Sequence, residues 1–96
     1  MRIHLVRTGG FSEEKKRVVD IDTLTLTPWT REDIESLVNC CDFFNLPEQM
    51  PKTDWRQGIF EYRVIITEES RSHTVETAEQ DAPDYLLSLI RRIERV

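Results

Sequence analysis

The chain has 96 residues, 39% of them hydrophobic and 32% charged, with a net charge of −5 and a pI near 5.0. Such a composition fits one soluble domain over 1–96 with one modest core, and excludes a disordered chain. The acidic balance argues against nucleic-acid binding, which needs a basic face to neutralise phosphates.

No apolar run approaches the ~20 residues of a membrane span. The opening "MRIHLVRTGG" carries charges where a signal peptide needs an apolar stretch. The expectation is therefore no membrane association and a cytoplasmic protein, or one exported without a recognisable signal peptide. Cys40 and Cys41 are adjacent and do not suit a mutual disulfide, in keeping with a reducing compartment.

Taken in order, Met1–Arg7 alternates, with Ile3 and Leu5 on one face and Arg2, His4 and Val6 on the other, which predicts a strand. Gly9 and Gly10 follow, then "RVVDID" at Arg17–Asp22, where Val19 and Ile21 share a face. Two strands around a Gly-bearing loop read as a hairpin. The period then changes. Ile34, Leu37, Val38, Cys41 and Phe44 recur at helical spacing, with Thr27 as N-cap and Pro28 at the first helical position.

The stretch "NLPEQMPKTDWRQG" reads as a loop. "IFEYRVIIT" at Ile59–Thr67 is the strongest strand, with Phe60, Tyr62, Val64 and Ile66 on one face. "SHTVET" makes a fourth strand, with His73 and Val75 on the core side. A second helix begins after "DAP", with Asp81 as its expected cap, Asp84 completing a capping box and Leu86, Leu89, Ile90 and Ile93 as its stripe.

The set is α+β in the order ββαββα: one four-stranded, mostly antiparallel sheet with two helices packed on one face. Two strand orders, 2-1-3-4 and 1-2-3-4, both satisfy the pattern. If the helices run antiparallel to their strands, Gly9–Phe11, the long loop over 46–58 and the residues before the second helix share one rim.

Chemistry of the catalytic kind is not visible. Serines and acids are scattered, His4 and His73 sit on strands, and the Cys and His spacing does not suit a metal. The expectation is no enzyme, no metal and no cofactor. Apolar residues in loops are the more informative signal. Phe11, Met50 and Trp55 either fold back over the core edge or serve as anchors at an interface. The candidate partner-binding set is Gly9, Gly10, Phe11, Met50, Asp54 and Trp55, with the glycines allowing close backbone approach to a partner.

One further signal lies in the order of several short motifs. They are Gly9-Gly10-Phe11, then Phe43, Phe44, Leu46 and Pro47 at the helix exit, Phe60 and Tyr62 on the third strand, and His73-Thr74-Val75 on the fourth. In this order and spacing the chain resembles the emfourin-like family of small protein inhibitors of thermolysin-type (protealysin-like) zinc metalloproteases. It departs from the family pattern at Gly58, where members often carry Asp. The resemblance implies a thermolysin-like metalloprotease as partner and an inhibitor whose loop rim blocks the active-site cleft; of oligomeric states, which the sequence does not give, a monomer is favoured. The alternative is a non-enzymatic interaction domain of the same fold with a non-protease partner.

Overall fold

The computed structural model describes residues 1–9, 16–53 and 58–96. Its strands are β1 (Arg2–Thr8), β2 (Arg17–Asp22), β3 (Glu61–Glu68) and β4 (Arg71–Ala78), and its helices α1 (Pro28–Cys40) and α2 (Asp84–Glu94). Short 3₁₀ turns cover Thr23–Thr25, Phe43–Asn45 and Glu79–Asp81. The architecture is α+β, and the sheet runs β2-β1-β3-β4 with all three pairings antiparallel. Of the two orders the sequence left open, the structure therefore selects 2-1-3-4.

Alternation decides the faces. Ile3, Leu5, Val64, Ile66 and Val75 are fully or almost fully buried, as are Leu86, Leu89, Ile90 and Ile93 of α2. The register aligns Leu5 with Val64 and Val64 with Val75, so these side chains form one apolar layer beneath the helices. Both helices cross the strands rather than follow them. Directly after β2, α1 begins, and its exit lies against β4, where the His73 ring N–H at Nε2 donates to the Leu46 carbonyl at 2.6 Å. After β4 comes α2, which ends where Glu94 meets Arg7 of β1 and Arg17 of β2. The two helices lie antiparallel, joined where Arg92 meets Asp33 at 3.4 Å.

The start of α1 follows its sequence signals. Thr27 is the N-cap, its hydroxyl accepting from the Thr30 N–H, and Pro28 opens the helix. The end does not follow the helical period. Asp42 takes a left-handed backbone at φ +51, which rotates the chain out of phase. Phe43, not Phe44, therefore enters the core at 1% exposure, and Phe44 stays half-buried. His73 meets Phe43 edge-on at 5.7 Å and Arg71 lies over the Phe44 ring at 3.9 Å. The helix-exit and fourth-strand motifs thus form one cluster.

Asp81 does not cap α2. Pro83 holds the N-cap position without a side-chain bond, and Asp81 belongs to the preceding 3₁₀ turn. The 46–58 segment is not all loop either. Glu76 N–H donates to the Glu48 carbonyl, and Met50 N–H donates to the Glu76 carbonyl. These bonds lay a short parallel bridge along the outer edge of β4. Among the described residues no helix is long and apolar enough to cross a membrane.

The two cysteines have opposite surroundings. Cys40 is exposed, while burial pushes the Cys41 thiol up to about 11. A raised value in the folded state means that the stability of the buried neutral thiol is complete below pH 9 and is lost as the pH rises through about 11. Alkylation of the native protein near pH 8, followed by mass spectrometry, should label Cys40 alone, with Cys41 reacting only after denaturation. In urea titrations the loss of stability between pH 9 and 11 should be smaller for Cys41→Ala than for the wild type.

Candidate functional site

The end of β1, the start of β3 and the end of β4 meet at one end of the sheet, since Thr8 pairs with Glu61 and Glu61 with Ala78. Gly9 follows at φ +100. A Cβ there would stand 2.1 Å from the Ile59 carbonyl oxygen. The sequence reading reserved this glycine's freedom for a partner. The structure gives an internal reason instead, because the chain leaving β1 lies against the chain entering β3 and only glycine fits. Gly10, Phe11, Asp54 and Trp55 lie outside the described residues.

Met50 is 7% exposed and belongs to the core cluster. The expectation of an exposed anchor changes accordingly: Met50 seats the long loop on the sheet, and only its edge reaches the groove beneath the loop. From there the loop reaches the rim by side-chain ties. The Lys52 ammonium donates to a Glu61 carboxylate oxygen. The Thr53 N–H donates to Asp81 Oδ2 at 3.2 Å and the Thr53 hydroxyl donates to Asp81 Oδ1. The shared rim expected from connectivity thus holds for Gly9, the 51–53 segment and the residues before α2. Leu46, level with His73, lies further down the sheet.

A groove of about 600 Å³ opens on the helix-free face of the sheet beneath this loop. Val6, Met50 and Ala78 supply apolar lining, and Lys16, Lys52 and Glu61 supply charge. A second hollow, about 350 Å³, lies between Gly58–Phe60 and Glu79–Gln80.

On the helix side of the rim, Arg7 donates to the Glu94 carboxylate at 3.1 Å and lies over the Phe60 ring at 4.9 Å. Arg17 donates to the Glu94 carbonyl at 2.5 Å. Two arginines at the C-terminal end of α2 offset the unfavourable placing of a carboxylate against the helix dipole. Beneath them Tyr62 is buried. Its hydroxyl is pushed up by burial first and then by Glu94 and Glu79, with Arg7 opposing.

Sequence reasoning missed two rim residues. Alternation predicts Phe60 on the buried face of a strand, but β3 begins at Glu61, and Phe60 is 37% exposed. Tyr85, at the second position of α2, is 58% exposed. Its position off the Leu86–Leu89–Ile90–Ile93 stripe was the signal that could have found it. Trp29, 82% exposed, opens α1 near the opposite end of the sheet, where Arg2 pairs with Asp22.

Among the described residues no three or more His, Cys, Asp or Glu side chains gather as a metal site. His4 faces Asp20 at 3.7 Å, and His73 is engaged with Leu46. The arrangement offers apolar and aromatic surface with fixed ion pairs, suited to binding another protein.

The family model described as Emfourin matches residues 5–94 of the chain. Among solved structures the chain is similar to emfourin (M4in) from Serratia proteamaculans, described as an M4 family peptidase inhibitor. That likeness has a TM-score of 0.51 and 24% identity, over 95% of this chain and 86% of the other. No curated protein matches the chain.

Two substitutions test the internal roles of the rim residues. Met50→Ala should cost about 2–3 kcal/mol, as expected for truncating a buried side chain. Gly9→Ala should cost about 2 kcal/mol or more, through backbone strain and the clash with Ile59. Both are read in urea denaturation. A loss under about 0.5 kcal/mol at either position would return that residue to the surface.

Proposed function

Because the chain belongs to the Emfourin family, we propose that it is a protein inhibitor of a thermolysin-like (M4) zinc metalloprotease and performs no catalysis of its own. The solved relative is described as an inhibitor of that peptidase family. In this reading the loop rim covers or enters the active-site cleft and excludes substrate.

The observation that carries the reading is the convergence of two segments at one end of the sheet. Gly9, which leads into Gly10 and Phe11, lies against Ile59. Thr53, which leads into Asp54 and Trp55, is tied to Asp81 beside the start of α2. Phe11 and Trp55 are the anchors in this scheme, and the exposed Phe60 and Tyr85 add aromatic surface to the rim. A standard interface of about 1,600 Å² would need a few such anchors for nanomolar binding.

The test adds the purified protein to a panel of thermolysin-like proteases with a peptide substrate. Inhibition is expected at or below micromolar concentration. Phe11→Ala and Trp55→Ala should each weaken it by about 2 kcal/mol, roughly 30-fold. Trp29→Ala, near the other end of the sheet, should leave it unchanged. Absence of inhibition across the panel would replace this reading by an interaction domain with a non-protease partner.

A further inference from the structure

Asp81 presents an unexplained carboxylate. Its sequence context, "DAP" before a helix, is that of a cap, yet Pro83 holds the cap position. Both of its oxygens instead accept from Thr53, Oδ2 from the backbone N–H and Oδ1 from the hydroxyl. The two residues are 28 positions apart, so the contact joins the long loop to the β4–α2 connection.

It also belongs to a series of ties along the described part of the loop. Going along the loop, Glu48 and Met50 bond to Glu76, Lys52 pairs with Glu61, and Thr53 bonds to Asp81. Pro47 and Pro51 restrict the same stretch further. Among the described residues these ties run from Glu48 to Thr53. The loop is thus held along residues 48–53, and Asp81 holds Thr53, the last of them.

We infer that Asp81 is a positioning residue for inhibition: by clamping Thr53 it fixes where the long loop stands at the rim of the sheet. This inference rests on the inhibitor reading. Asp81 need not touch the protease. Without the clamp, the ordering of the loop has to be met at the moment of binding, and affinity falls by that amount. A carboxylate bonded to both the N–H and the hydroxyl of one residue restricts that residue's backbone and its χ1 together, as a single surface bond does not.

The experiment measures inhibition constants and thermal midpoints for the wild type, Asp81→Ala, Asp81→Asn, Thr53→Val and the Asp81→Ala/Thr53→Val pair. Asp81→Ala is expected to raise the inhibition constant about tenfold, with a midpoint within about 3 °C of the wild type. Asp81→Asn, which can still accept from the Thr53 N–H, should recover most of the loss. The double variant should lose no more than Asp81→Ala alone, the mark of residues acting through one contact. Amide exchange at Thr53 should quicken in Asp81→Ala.

An inhibition constant unchanged in Asp81→Ala while the wild type inhibits would overturn the clamp and leave the inhibitor reading intact. Fully additive losses in the double variant, or no recovery in Asp81→Asn, would also overturn it, since either assigns Asp81 a direct contact with the protease. A wild type that inhibits nothing in the panel removes both readings together.

Discussion

The hydrogen bond from the His73 ring to the Leu46 carbonyl fixes where the chain leaves α1 and begins to climb the sheet. The rest of the upper structure is built on that placement. With Leu46 held at β4, residues 48–50 can reach Glu76 and bridge the strand edge. With the bridge made, Lys52 and Thr53 arrive beside Glu61 and Asp81. The imidazole has the right surroundings for this task, being packed against Phe43 and Phe44. A half-buried carbonyl left without its donor is costly, so packing and hydrogen bond reinforce one another.

Legibility in the sequence followed periodicity. The inward pairs Ile3 and Leu5, and Val64 and Ile66, were readable because a strand alternates strictly. The stripe of α2 was readable because nothing interrupts it. Phe43 was not, since one left-handed residue at Asp42 shifts the phase of everything after it. Strand order was not readable for a different reason: both candidate orders bury the same faces, and the choice lies in pairings between distant strands. The bridge at Gln49 leaves no pattern at all, because its two backbone bonds have no side-chain signature.

The site was less legible than the fold. The motifs around Gly9 and His73 pointed to the family, yet the structure explains Gly9, Phe43 and His73 by internal packing. Residues that mark a family need not be those that meet its partner. Asp81 shows the converse. A cap motif concealed a long-range contact, because the same carboxylate can accept from a helix N-terminus or from a neighbouring loop. Phe60 and Tyr85 escaped notice because one lies a single residue outside a strand and the other off a helix's apolar stripe.

The ion pair between Arg7 and Glu94 has a consequence for how the molecule assembles. Its partners are 87 positions apart. β1, early in the chain, is also the inner strand that must wait for β3, since Arg2 pairs with Thr67 and Thr8 with Glu61. During synthesis β1 can form only its hairpin with β2, leaving one side of Ile3 and Leu5 uncovered until β3 emerges. Loop closure over such separations is slow, and domains mixing helices and sheet fold at rates between those of helical bundles and all-β barrels. The pair of Arg7 and Glu94 can therefore form only once α2, the last element of the fold, is in place.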